Sequence, residues 1–101
     1  MPEQLIQYFT TLTDALQATK VTDRAFQSMP FAEGCEWVRT AAHEAHDGDN
    51  KIMFIGNGGS AGIASHLAVD FSKNGGLRSL AFNDPSALPC LGNDLRYENV
   101  F

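Results

Sequence analysis

The sequence predicts an α/β fold: a parallel sheet flanked by helices and preceded by N-terminal helices, of which 101 residues hold only the N-terminal half. Three observations carry this. Residues 51–55, Lys-Ile-Met-Phe-Ile, form a short apolar run that leads into the glycine-rich stretch Gly56-Asn57-Gly58-Gly59-Ser60. Helical spacing resumes over 61–73, with Ile63, Leu67 and Phe71 four residues apart, and a second strand-like segment follows at 78–82. Strand, loop, helix and strand make a βαβ unit, whose crossover sets the two strands parallel and lays a helix on the sheet.

The elements follow in order. Leu5, Phe9, Leu12 and Leu16 are spaced four, three and four residues apart, which predicts an amphipathic helix over about 3–18. Thr19 to Pro30 is mixed and polar and reads as a connection with room for a turn of helix. Pro30 suits a first helical position, and Phe31, Cys35, Val38, Ala42 and Ala45 extend a second helix over about 31–46. Asp47-Gly48-Asp49-Asn50 is a helix exit and turn. The run at 51–55 suits a strand buried on both faces. Asn74-Gly75-Gly76 ends the third helix, Pro85 to Leu91 reads as a short helix, and Asn93-Asp94 reads as a turn. Two strands alone do not make a stable sheet of this kind, so the unit is expected to be completed by further chain or by partners.

Composition narrows the function. Seven basic against twelve acidic residues give a net charge of -5, and no three basic residues cluster, which argues against nucleic acid as partner. A 44% hydrophobic content supports a packed core, while no apolar run approaches the ~20 residues of a membrane helix. No signal peptide is visible at the N-terminus, and Cys35 and Cys90 read as two reduced thiols, so a cytoplasmic setting without membrane contact is expected.

The glycine loop sits where open α/β sheets bind ligands, at the carboxyl end of a strand. The first N–H groups of the next helix lack intrahelical partners and carry the positive dipole end, so they favour an anion, most simply a phosphate. Gly58 and Gly59 admit close approach, and Ser60 can cap the helix or donate its hydroxyl to a phosphate oxygen. The blander reading is a tight strand-to-helix turn without ligand. A rival reading takes Gly56 to Ala61 as the dinucleotide pattern G-x-G-x-x-A, with Asp84 holding a ribose. That reading leaves His66 and Asp70 without a role. These two lie four residues apart on one face of the third helix, a spacing that serves a divalent metal or acid–base work on one substrate. His43-Glu44-Ala45-His46 falls one residue short of the zinc-protease spacing and reads as a solvated helix end, where the dipole favours histidine.

Taken together, Ile55-Gly56-Asn57-Gly58-Gly59-Ser60, His66-Leu67-Ala68, Ala87 to Asn93-Asp94 and Tyr97 resemble the phosphoheptose isomerase family. The resemblance implies a SIS-type sheet, with 1–48 as a helical oligomerisation segment and 49–101 as the start of a phosphosugar-binding sheet. It implies a homotetramer with shared sites, and an aldose–ketose isomerisation between sedoheptulose 7-phosphate and D-glycero-D-manno-heptose 7-phosphate. Asn57, Gly58, Gly59, Asn93 and Asp94 would bind substrate, with Ser60 supporting the loop. His66 would be a zinc ligand, and Asp70 both ligand and catalytic base. The family has glutamate at that last position, so the carboxylate here is one methylene shorter. The family's Ser/Thr-rich phosphate loop, and the Gln and His that complete its metal site, have no counterpart in residues 1–101, so this stretch alone carries half a site. The alternative is a non-catalytic SIS module that binds a phosphosugar or a protein.

Overall fold

In the computed structural model, which describes residues 1–101, the first stripe does form a helix, α1 (Glu3–Gln17). Three of its threonines sit inside it without cost to the ladder, because Thr10, Thr11 and Thr13 donate their hydroxyls to carbonyls one turn back. Nothing on α1 is buried within the chain: Leu5, Phe9, Leu12 and Leu16 all remain exposed.

The connection after it is not a helical turn. It is a small antiparallel hairpin, β1 (Val21–Thr22) with β2 (Ser28–Met29), paired Val21 to Met29 and Thr22 to Ser28. Asp23 builds the turn, its Oδ1 accepting N–H bonds from Ala25 at 2.8 Å and Gln27 at 2.9 Å. This local side-chain option is what draws the backbone away from a helix. Phe26 takes the left-handed conformation there, at φ 61°. Gly34 accommodates Val21, since a Cβ at Gly34 would lie 2.6 Å from Val21 Cγ1.

Helix α2 (Phe31–Asp47) begins just after Pro30, whose carbonyl accepts the Gly34 N–H. Its exit turns at Asp49, at φ 59°, rather than at the neighbouring glycine. The chain forms two units, Met1–Arg39 and Thr40–Phe101. The βαβ unit lies wholly in the second.

Strands β3 (Ile52–Phe54) and β4 (Ser79–Ala81) run parallel, with Ile52 beside Ser79 and Phe54 beside Ala81. They make their own two-stranded sheet. Helix α3 (Gly59–Val69) covers one face of it. Ala64 and Ala68 are buried there, and their small side chains let the helix lie close to the strands. Phe54 meets Phe71 edge to face at 5.2 Å. Ser72 and Ser79 both donate to the Ala68 carbonyl, tying the end of α3 to β4.

The expectation of a strand buried on both faces is corrected here. Met53 and Ile55, on the face away from α3, are 62% and 59% exposed, and Leu80 and Phe82 are open beside them. One helix can cover only one side of a two-stranded sheet. The open side lines a groove of about 420 Å³ with Leu88, Leu91 and Phe101. His46 departs from its reading as well. It is half-buried, its Nδ1 accepting the Arg78 N–H at 3.1 Å and its carbonyl accepting from the Arg78 guanidinium at 2.6 Å. It anchors the end of α2 to the start of β4 instead of facing solvent.

Beyond β4, helix α4 (Ala87–Leu95) starts at the Asp84 carboxylate, whose Oδ2 accepts the Ser86 and Ala87 N–H groups. It runs four residues past Leu91, so Asn93 and Asp94 lie in its last turn and not in a free turn. A single turn of 3-10 helix, Tyr97–Asn99, follows Arg96, which is left-handed at φ 68°.

Candidate functional site

The glycine loop leaves the carboxyl end of β3, and its geometry explains its composition. Gly58 sits at φ 56°, ψ -124°, a region closed to residues with a Cβ. A Cβ on Gly56 would press on the Ser60 backbone, 2.6 Å from its carbonyl carbon. The Asn57 and Gly58 carbonyls accept the Ser60 and Ala61 N–H groups, so α3 begins at Gly59, two residues earlier than its spacing predicts. No side chain caps the helix. Of the two roles open to Ser60, capping is therefore excluded, and its exposed hydroxyl sits in the first turn of α3.

Two residues without an assigned role hold this loop in place. Asn83, just past β4, donates Nδ2 to the Ala61 carbonyl at 2.7 Å and to Ser65 Oγ at 2.8 Å. Its Oδ1 is buried without a partner. Tyr97 donates its hydroxyl to Asn57 Oδ1 at 2.6 Å, across 40 residues of sequence. Nothing local in the sequence marks either contact. The one available signal for Asn83 was its place at the carboxyl end of a strand, where such sheets gather ligand groups.

His66 and Asp70 are brought together further along α3. His66 Nε2 lies 3.4 Å from Asp70 Oδ2, with side chains 78% and 42% exposed. Two ligands on a tetrahedral zinc, each about 2.0–2.1 Å from it, stand roughly 3.3 Å apart, so the pair has the separation of two donors to one cation. No third His, Cys, Asp or Glu joins them to complete a metal site. The residues present thus fit part of a zinc site. At Asp70 the helix widens into a π turn, Asp70–Asn74, in which the Gly75 N–H reaches back to the Asp70 carbonyl at 3.0 Å. Such turns recur at functional sites. Here it ends the regular α-helix at Val69, short of the residue 73 that the apolar spacing suggests.

Asn93 and Asp94 are not brought to the loop by any hydrogen bond. Asn93 Nδ2 contacts Asp94 Oδ1 at 3.4 Å, and Asp94 also accepts from Cys90. Both cysteines are free and exposed. Asp84, the ribose holder of the dinucleotide reading, has its Oδ2 occupied by two backbone donors at the start of α4. No helix is long and apolar enough to cross a membrane.

The class of protein these features define is an α/β protein with a glycine-rich loop between a parallel strand and its crossover helix. Comparison with known proteins makes it more specific. The chain is 44% identical over 72 residues to the phosphoheptose isomerase of Aneurinibacillus thermoaerophilus, covering 65% of this chain and 36% of that protein. It is 33% identical over 85 residues to the phosphoheptose isomerase of Bradyrhizobium sp. (strain ORS 278), covering 78% of this chain and 43% of that one. The phosphoheptose isomerase of Akkermansia muciniphila is 47% identical over 58 residues, 52% of this chain and 31% of that protein. The chain is related to the phosphoheptose isomerases. It spans about a third of the length of the first of these relatives. No family model matches the chain, and no solved structure does.

Proposed function

We propose that the chain is the phosphosugar-binding start of an aldose–ketose isomerase that converts sedoheptulose 7-phosphate to D-glycero-D-manno-heptose 7-phosphate. The observation that carries it is the pairing of the glycine loop with the His66–Asp70 contact on the same helix. On this reading the sheet is the beginning of a SIS-type sheet. Gly58 and Gly59 offer backbone N–H groups and Ser60 its hydroxyl to the anionic sugar, Asn57 offers its carboxamide, and Asn93 and Asp94 bind sugar hydroxyls.

Asp70 is the base. It takes the proton from C1 of the ketose, next to the C2 carbonyl; the C–H electron pair moves into a C1–C2 double bond, and the displaced C2 carbonyl π pair goes to its oxygen, which takes up a proton to give an enediol. Returning a proton to C2, while the C1 hydroxyl gives up its own, leaves an aldehyde at C1. Zinc, held by His66 and Asp70 with ligands from elsewhere, supplies polarisation of the sugar oxygens. Turnover of sedoheptulose 7-phosphate by the full-length protein, with zinc supplied, is the test. Sugar binding without turnover would instead favour the non-catalytic module, against which the carboxylate kept at Asp70 speaks.

The exposed stripe on α1 also belongs to this reading. Leu5, Phe9, Leu12 and Leu16 present apolar surface that a soluble monomer seldom leaves open. A homo-oligomer, a tetramer at full assembly, built on the N-terminal helices is expected. Sedimentation at micromolar concentration should show multimers, and a well-folded monomer would contradict it.

A further inference from the structure

We infer that Tyr97 is a positioning residue for the sugar site, acting through Asn57. This rests on the phosphosugar reading of the loop but assigns a role to a residue outside it. Asn57 is the one loop residue with a long side chain, and it is exposed in the segment between β3 and α3. Unrestrained, an exposed carboxamide turns freely and presents either its oxygen or its NH2 group to a ligand. The two faces differ in sign. An NH2 group attracts a phosphate or sugar oxygen, whereas a carbonyl oxygen repels the first.

The Tyr97 hydroxyl removes the ambiguity. It is a good donor, and at 2.6 Å it is bonded to Asn57 Oδ1. With the oxygen held by the phenol, the NH2 group faces the other way, with both of its protons free for a ligand. Tyr97 itself sits in the 3-10 turn right after α4, where Arg96 at φ 68° redirects the chain. The tyrosine thus connects the turn after α4 to the loop after β3 and fixes which face of one amide the ligand meets.

The consequence is a loss of affinity without loss of chemistry. Tyr97→Phe keeps the ring and removes only the hydroxyl. It is expected to weaken binding of sedoheptulose 7-phosphate about five- to tenfold, the size of one neutral hydrogen bond. In steady-state terms KM rises by that factor and kcat is unchanged. Asn57→Ala is expected to weaken binding at least as much. The decisive variant is the double substitution, since a residue acting through Asn57 adds nothing once Asn57 is gone. Equal losses for the Asn57→Ala single and the double support the inference. A Tyr97→Phe chain that binds like the wild type, or a full extra loss in the double, overturns it.

A second measurement needs no ligand and so separates this inference from the phosphosugar reading. In the unliganded wild-type chain, side-chain couplings at Asn57 should report one χ1 rotamer and a distinct pair of NH2 resonances by NMR. In Tyr97→Phe the couplings should average and the NH2 resonances move. Averaged couplings in the wild type overturn the positioning role whatever the chain binds. A fixed Asn57 in a chain that ignores sedoheptulose 7-phosphate would leave the positioning intact and remove the phosphosugar reading alone.

Discussion

Replacing Asp70 by asparagine in the complete protein is expected to lower turnover of sedoheptulose 7-phosphate by at least ~10²-fold, the usual contribution of a positioned base. The substitution keeps shape and size but removes the proton acceptor. The surroundings tolerate it, because Asp70 is partly exposed and makes only an Asn74 contact at 3.4 Å besides His66. Asp70→Glu is expected to keep or raise activity, since only the reach of the carboxylate changes. Zinc content should fall on His66→Ala, since one of few ligands is lost. A turnover unchanged in Asp70→Asn would remove Asp70 from the chemistry.

The second large effect belongs to Gly58. At φ 56°, ψ -124° it occupies a region essentially restricted to glycine, and no atom lies within 4 Å of where its Cβ would be. Space is therefore not the obstacle to a larger residue; the backbone conformation is. Gly58→Val must move φ and ψ to relieve a strain of order 1–3 kcal/mol, and the start of α3 moves with them. The Gly59 N–H group and the Ser60 hydroxyl then turn away from the ligand. Binding of the sugar phosphate should be lost, while thermal unfolding shows the chain still folded, because the sheet and its contact with α3 at Ala64 and Ala68 lie beyond the loop. Retained affinity would return the loop to a plain strand-to-helix turn.

Much of this arrangement is legible in the residue order, and what is not has physical reasons. The helices α1 and α2 announce themselves by apolar spacing, and the parallel pair β3 and β4 by two short apolar runs flanking a helix-length segment. The hairpin at 21–29 does not, because two-residue strands are too short to show alternation and the turn depends on one carboxylate, that of Asp23. The π turn at Asp70 has no residue signature, since Asp-Phe-Ser-Lys-Asn fits an ordinary helix end equally well. Asn93-Asp94 looks like a turn, yet the Asp84 carboxylate starts a helix that carries through it.

The site divides in the same way. Loop composition and the four-residue spacing of His66 and Asp70 reveal the glycine turn into α3 and the paired side chains, because both are local in sequence. The partners that fix them are not local. Asn83 reaches Ala61 across 22 residues and Tyr97 reaches Asn57 across 40, and only the fold brings them together. The openness of the sheet face at Met53 and Phe82 is likewise a property of what packs nearby, and the apolar run alone pointed the other way.

The loop between β3 and α3 is expected to bind the anionic sugar through its own backbone. The most direct measurement is an NMR titration of the chain with sedoheptulose 7-phosphate, following the amide resonances of Asn57 to Ala61 and the side-chain NH2 group of Asn57. The expected result is saturable movement of Gly58, Gly59 and Ser60, reproduced in part by inorganic phosphate and absent with the unphosphorylated sugar. Loop amides that stay fixed through the titration would contradict it.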